Sequence, residues 1–414
     1  MASVEFNLAN GIRCVAVKKA MRFLVTTKVF VKAGSRHDEE LPGLAHVVEH
    51  LLFRTNDLDF YRNVYQIEGL GGKIESITTK EYTEYSLVII KENWSTGLRL
   101  LSEILTKPEF DLDSIKREKD IIIEEIANSY SKLSILWDIF AQSIWKESPL
   151  RNPIRGYTES INEINRQDIE GFYCNYYSGC NMIIIVIGDI DIIKIQEHIN
   201  EMFSGIKPGY SSISTKKPQI HTLNHKKEVH VIKDSLQTNL LMGYPGVSIK
   251  DPGIKAFRLV NKIIGNGESS RLYKQLRICM NSVYSISSTL AIYEDTGYFA
   301  VWTNFNHTKK NLIINALVDE FNSLRKKKID AEELKHAKVR YKRDIMINHD
   351  NDNKFADFMG TSLLLTGKIK EFEDIIFEID SVTSNQLYEL ANNYFFEENR
   401  FLVSIGRDAK TIMK

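Results

Sequence analysis

The feature that most constrains the fold is an internal duplication. An Asn-Tyr pair, a later Asn and a Gly that closes an apolar segment occur in both halves of the 414-residue chain. The matching positions lie 218 residues apart, with Asn175, Tyr176, Asn181 and Gly188 corresponding to Asn393, Tyr394, Asn399 and Gly406. Solenoid repeats have periods of only about 20–50 residues. The sequence therefore predicts two copies of one domain.

A segment near the middle of the chain separates the two copies. Residues 204–227 are rich in Ser, Lys, Gly and Pro and have little apolar periodicity, which is typical of a linker. We therefore predict an N-terminal domain over residues 1–207, a linker over 208–226 and a C-terminal domain over 227–414. The length of the chain also exceeds what one hydrophobic core usually supports.

Strands and long helices alternate along the chain. Apolar and β-branched residues predict the following elements: strands at 23–32, 82–90 and 182–187, and helices at 41–53 and 111–132. Either Asp113 or Ser114 is available as the N-cap of the last helix. This mixture indicates an α+β architecture rather than a doubly wound sheet.

The composition excludes several classes of protein. Lys plus Arg equals Asp plus Glu, at 54 each, so the chain has no overall attraction to nucleic acid or to membranes. The N-terminus has no basic segment followed by an apolar one, and the longest apolar run is too short to span a bilayer. The four cysteines form no C-x-x-C pair, which suits a reducing compartment. We expect a soluble, cytoplasmic protein.

The segment His46–His50, with sequence HVVEH, carries the main chemical signal. On a helix, positions i, i+3 and i+4 share one face, so His46, Glu49 and His50 project together. Two imidazoles one turn apart can reach one tetrahedral ion at about 2.0–2.1 Å. Glu49 can then take a proton from water without being a ligand. H-x-x-E-H is the inverse of the H-E-x-x-H zinc motif, so the segment favours a metal site over a chance cluster.

The second copy lacks this polar set. Ala256, Leu259 and Val260 occupy the positions that correspond to the two histidines and the glutamate. If folding required the polar residues, the second copy should need them too. The comparison therefore indicates that the first copy carries them for chemistry.

The predicted helix over 111–132 offers candidates for a third ligand. A catalytic zinc needs three protein ligands and one open position. Glu118 and Glu125 share a face two turns apart, whereas Glu124 points about 100° away from Glu125. Because helical acids are also common on solvated faces, periodicity alone leaves the third ligand open.

Taken with these motifs, the sequence resembles the pitrilysin-like family of inverted-motif zinc peptidases. This family includes insulin-degrading enzyme and the mitochondrial processing peptidase, and the chain resembles the short bacterial type related to the latter. The resemblance covers almost the whole chain. It is carried by these segments: 31–36, 43–53, Gly71-Gly72 with Thr78, Glu81 and Thr83, then 118–125, 156–161, 177–188, 269–272 and 276–284.

The resemblance implies a fold and a metal site. Each domain should be a mostly antiparallel sheet flanked by helices, and the chain should form half of a clamshell. One Zn²⁺ per chain would be held by His46, His50 and Glu125, with Glu49 as general base. Glu118 would be a supporting acid that holds His50 or the water network in place.

It also implies where a substrate would lie. Arg277 and Tyr284 would line the chamber from the C-terminal domain, whose copy of the motif is apolar. Family members commonly have Asn-Ala on the edge strand after the Gly-Gly, where this chain has Glu75-Ser76. Substrate docking there is expected to use backbone hydrogen bonds by strand addition. The side-chain preference beside the scissile bond is therefore open.

The expected activity is zinc-dependent endopeptidase cleavage of peptides or unfolded segments inside a closed chamber, with maturation of a precursor peptide as one form of it. A homodimer is expected first, because one chain holds both the zinc set and the pair Arg277 and Tyr284. A heterodimer with a zinc-less homologue comes second. A non-catalytic scaffold subunit is a further alternative, although such a subunit should have lost the metal set. A zinc-dependent nucleotide or amide hydrolase has no phosphate loop or GxSxG elbow to support it.

Overall fold

The computed structural model describes residues 2–53, 64–128, 132–209 and 228–407. Most of the predicted linker over 208–226 falls outside these residues. The chain divides into two units, one made of residues 1–129, 152–216 and 348–369 and the other of residues 130–151, 217–347 and 370–414. Within the described ranges, no helix is both long enough and apolar enough to cross a membrane.

The first unit is built on a six-stranded sheet. Its strands are β1 (Ala2–Asn7), β2 (Arg13–Lys18), β3 (Leu24–Val31), β4 (Gly72–Thr78), β5 (Thr83–Ile90) and β6 (Met182–Gly188). Their spatial order is β1-β2-β6-β3-β5-β4. Only the β2–β6 pair is parallel. Every residue of β6 is buried, as its continuous apolar sequence predicts for a central strand.

The second unit contains a five-stranded sheet with the same topology. Its strands are β7 (Glu228–Ile232), β8 (Gln237–Pro245), β9 (Ser285–Ile292), β10 (Gly297–Asn306) and β11 (Phe401–Gly406). Their order is β7-β11-β8-β10-β9, and again one pair, β7–β11, is parallel. This order matches β2-β6-β3-β5-β4 strand for strand. The predicted α+β fold with two homologous, mostly antiparallel domains is therefore confirmed.

Helices connect and cover the strands. Over the described residues, they are α1 (Leu44–Phe53), α2 (Trp94–Thr106), α3 (Leu112–Asn128), α4 (Lys132–Ile144), α5 (Thr158–Glu163), α6 (Arg166–Tyr176), α7 (Ile192–Phe203), α8 (Ile254–Ile264), α9 (Lys310–Lys326), α10 (Ala331–Asp350), α11 (Asp352–Thr366), α12 (Phe372–Ser381) and α13 (Ser384–Tyr394). Residues 64–69 are also helical, and Tyr273–Cys279 forms a π-helical segment.

Each unit is completed by a helix from the other half of the sequence. α4 packs on β8 and β11 of the second unit, where Phe140 is fully buried. α11 packs on β3 and β6 of the first unit, where Ala356 is fully buried. The units are therefore not the continuous ranges 1–207 and 227–414. One face of each sheet is apolar and must be buried. In each unit, the apolar side chains of the helix from the other half of the sequence cover that face.

The start of α3 differs from the prediction. The carboxylate of Asp111 accepts the backbone N–H of Ser114 at 2.9 Å, so Asp111 caps the helix. Asp113 lies inside the first turn, and the prediction of Asp113 or Ser114 as the cap was wrong. The described helix ends at Asn128, and residues 129–131 lie outside the described residues.

Gly360 allows α11 to approach the first sheet, which gives a stability prediction. A Cβ at this position would overlap the Phe30 ring on β3, whereas a Cβ at Gly171, in α6, would meet nothing within 4 Å. Gly360→Ala should lower the free energy of unfolding by about 1–3 kcal/mol, because the packed core must shift. Gly171→Ala should leave it unchanged or raise it by up to about 1 kcal/mol, because alanine favours the helix. Urea denaturation of both variants measures the difference, and equal stabilities would contradict the packing described.

Candidate active site

The position of α1 is set at its N-terminus. The buried Asp38 carboxylate accepts the N–H groups of Gly43 at 2.7 Å and Ala45 at 2.8 Å, which satisfies donors that the helix cannot pair. Gly43 has φ +100° and Gly156 has φ +73°, and a Cβ on Gly156 would overlap the carbonyl oxygen of Pro42. This close approach fixes the loop before α5 against the start of α1.

The sequence of α1 also fixes its rotation. Leu44, Val47, Val48 and Leu51 are buried in the core of the first unit. The opposite face carries His46, and α1 packs against α3, α6 and β4. Because the apolar face can point only inward, the polar face must meet residues from α3 and β4.

His46, His50 and Glu125 come together on that polar face. Their ligand atoms all lie within 4.8 Å of one another. The two imidazole centroids are 4.5 Å apart, and His50 Nε2 lies 3.9 Å from Glu125 Oε1. Two imidazole nitrogens and one carboxylate oxygen, with Glu125 40% exposed to solvent, make a donor set that suits a catalytic metal with an open position.

Glu118 contacts the ring nitrogen of His50 that faces away from Glu125. Its carboxylate lies 3.0 Å from His50 Nδ1, and its side chain is 1% exposed. Because a carboxylate only accepts, Nδ1 carries a proton, so Nε2 is the nitrogen that a neutral His50 ring offers to a metal. Glu124 is exposed on the same helix. The packing of α3 against α1 therefore brings Glu125 toward Nε2 of His50 and Glu118 toward Nδ1, an arrangement that periodicity left open.

The environment of His46 keeps its imidazole ring neutral, as a metal ligand must be. Burial lowers its pKa to about 3, and electrostatic interactions with the neighbouring His50 and Arg155 act in the same direction. The neutral ring keeps the lone pair that metal binding requires. Its Nδ1 atom is buried and has no hydrogen-bond partner among the described residues. A buried, neutral, unpartnered nitrogen fits a metal site.

Glu49 lies on the same helix face and is held by β4. Ser76 donates its hydroxyl to Oε1 at 2.6 Å, and Thr78 donates to Oε2 at 2.5 Å. Glu49 is only 7% exposed. Ser76 and Thr78 share a face of β4 because strand side chains alternate, so both reach the helix that packs there. The sequence indicates this alternation but not the helix that it meets.

Arg155 is a site residue that sequence reasoning missed. Its Nε lies 3.8 Å from Glu125 Oε2, and its side chain is 46% exposed. It is brought there by the Gly43–Gly156 contact at the start of α1. No motif marks it, because the approach depends on two glycines far apart in the chain.

The other predicted residues lie on the opposite side of β4 or in the second unit. Glu75 is 62% exposed and pairs with Lys73 at 2.5 Å, on the side of β4 opposite to Ser76. Arg277 belongs to the π-helical segment and donates to the carbonyl of Val283 at 2.9 Å. Tyr284 is the residue after Val283, and its side chain is 53% exposed. Their roles in substrate binding stay predictions.

In the second unit, the helix that corresponds to α1 has an apolar interior face. Ala256, Leu259 and Val260 are all buried on α8, with exposures of 6%, 0% and 0%. The same fold is therefore built without a polar set at these positions.

The chain matches family models over most of its length. Residues 13–158 match the family described as insulinase (peptidase family M16), and residues 163–341 match the peptidase M16 inactive domain. The chain belongs to peptidase family M16. Within this M16 protein, the matched peptidase segment contains His46, Glu49, His50 and Glu125, and the inactive-domain match covers α8.

Named relatives match this chain over most of both sequences. YmxG, an uncharacterized zinc protease of Bacillus subtilis (strain 168), is 26% identical over 95% of this chain and 96% of its own. The mitochondrial-processing peptidase subunit beta of Saccharomyces cerevisiae is 25% identical over 96% of this chain and 90% of its own. At the level of the family, these likenesses support a zinc protease.

Solved structures share the fold. A peptidase M16 inactive domain from Pseudomonas fluorescens superposes with a TM-score of 0.89 at 20% identity, covering 99% of both chains. A protease from Helicobacter pylori gives a TM-score of 0.88 at 22% identity, covering 98% of this chain and 99% of its own.

The contact between Glu118 and His50 predicts an effect on metal affinity. Glu118→Gln should weaken zinc binding by about 10–100-fold, because an amide orients the imidazole less well than a carboxylate. The matched control is Glu124→Gln, on the exposed face of the same helix. Competition with a chromophoric chelator measures both affinities, and a Glu118→Gln affinity equal to that of the control would refute the supporting role.

Proposed function

We propose that this M16 protein is a zinc-dependent endopeptidase that cleaves peptides or unfolded segments. One observation carries the proposal. His46, His50 and Glu125 converge as a possible metal set, with Glu49 on the same helix face. The names of the relatives as zinc proteases support zinc as the metal. One candidate metal set among the described residues corresponds to one ion per chain. The ion would polarise the scissile carbonyl and make water more acidic.

Glu49 is proposed as the general base. It takes a proton from the attacking water and passes it to the leaving amine. Its carboxylate is available for this, because each oxygen accepts one hydroxyl bond and keeps further lone-pair capacity. Glu118 accepts the Nδ1 proton of His50 and so orients the ring with Nε2 toward Glu125.

The substrate is proposed to bind as an added strand. Among the described strands, β4 pairs with β5 alone, so its other edge has backbone groups available. An extended peptide can pair with this edge through main-chain hydrogen bonds, which require a segment whose own backbone groups are free. Glu75 and Ser76 would then lie beside the peptide near the scissile bond. This mode favours peptides and unfolded segments over folded proteins.

The assembly is proposed to be a homodimer that encloses the substrate. The C-terminal domain would form a chamber wall, with Arg277 and Tyr284 contacting the substrate backbone or the developing oxyanion. The likeness to a peptidase subunit named beta supports the alternative, a heterodimer with a zinc-less homologue. The protein would act in the cytoplasm. A scaffold role is disfavoured, because all four polar positions of the site are filled.

Replacing the proposed base separates metal binding from catalysis. Glu49→Gln should keep one zinc per chain but lower peptide turnover by about 10²–10⁴-fold, because the amide cannot accept the proton. Metal analysis and a peptide-library digest, with and without chelator, measure both properties. Glu124→Gln is the control and should cleave like the wild type. If Glu49→Gln retains turnover after contaminating protease has been excluded, Glu49 is not the general base.

The dimer is tested by sedimentation of the purified chain. A homodimer predicts a sedimenting species of twice the chain mass that cleaves peptides. A heterodimer predicts an inactive chain that gains activity only with a partner. A stable, active monomer would contradict both assemblies.

A further inference from the structure

Both oxygens of Glu49 are bound by hydroxyls from one strand. Ser76 donates to Oε1 at 2.6 Å and Thr78 to Oε2 at 2.5 Å. The carboxyl torsion of a glutamate is broad, so a single hydrogen bond would leave the group free to swing. Two hydroxyl donors on the same face of β4, two residues apart, define the plane of the carboxylate.

The two donors differ in how they are held. Thr78 is 6% exposed and lies 3.4 Å from the hydroxyl of Thr83, which in turn donates to the carbonyl of Ala33 at 2.6 Å. Thr78 therefore belongs to a buried network that reaches the core. Ser76 is half-buried, and among the described residues Glu49 is its one side-chain hydrogen-bond partner. Only Ser76 can be altered without disturbing that network.

We propose that Ser76 is a positioning residue that acts through Glu49. Its hydroxyl holds the carboxylate in the orientation that receives the proton of the attacking water. This rests on the proposed peptidase function. The carboxylate has about four lone-pair sites, and the two hydroxyls use only two of them. The hydroxyls therefore orient the base without blocking it.

Ser76 lies on the strand that would also bind the substrate. The open edge of β4 is where an extended substrate would pair, whereas the Ser76 side chain points from the face of the strand toward α1. One strand thus aligns the substrate backbone by its edge and the base by its face. Because main-chain bonds would hold the peptide, loss of the Ser76 hydroxyl should leave substrate affinity unchanged.

The first test is kinetic. Ser76→Ala should lower kcat by about 10-fold, the size expected for losing one hydrogen bond to a charged group, with KM, zinc content and melting temperature unchanged. Ser76→Thr retains a hydroxyl and should recover most of kcat. The matched control is Ser86→Ala, a buried serine on the adjacent strand β5. A kcat within twofold of wild type in Ser76→Ala, or no recovery in Ser76→Thr, overturns the proposal.

The second test separates positioning from direct substrate contact. Affinity for an uncleaved peptide is measured by fluorescence anisotropy in the zinc-loaded Glu49→Gln variant and in the Glu49→Gln, Ser76→Ala double variant. Equal affinities support action through Glu49. A several-fold weaker affinity in the double variant means that Ser76 binds substrate and overturns the proposal. If the wild type shows no chelator-sensitive cleavage, the proposed peptidase function is wrong. If the wild type and Ser76→Ala are equally active, the peptidase function stands and only the proposed role of Ser76 is wrong.

Discussion

The arrangement of the site depends on how α1 is held. Its apolar face is buried in the core of the first unit, and Asp38 pairs the backbone donors at its start. The polar face is then partly buried too, and buried polar atoms are costly unless they are bound. The partners come from two other elements, with Glu118 on α3 binding His50, and Ser76 and Thr78 on β4 binding Glu49.

The duplicated domain serves as an internal comparison for this interpretation. Both sheets have the same strand order with one parallel pair, so the fold itself is common to both copies. In the second copy, α8 fills the corresponding face with apolar side chains that need no polar partners. The polar set is therefore not a requirement of folding in this M16 protein. The first copy can hold it because α3 and β4 supply hydrogen-bond partners.

The exchange of helices makes each unit depend on both halves of the sequence. α11 is held on the first sheet by apolar contacts and by the buried Lys28, which pairs with Glu84 on β5 and with Asp357 on the helix. A buried lysine without these partners would be strongly destabilising. Neither half of the chain, cut at the predicted linker, contains every element of its own unit. Cutting the chain at the predicted linker would therefore separate α11 from the first sheet and α4 from the second.

The sequence alone determined the features that repeat at short range or between the copies. Periodicity placed the motif helix and the strands near their observed positions, and the duplication predicted two matching sheets. Tertiary structure decided which glutamate faces the histidines, that Ser76 binds Glu49, that Arg155 approaches Glu125, and that α4 and α11 exchange units. The physical reason is that these contacts join residues far apart in the chain. Local periods encode which face of an element is buried, but not which element packs against it.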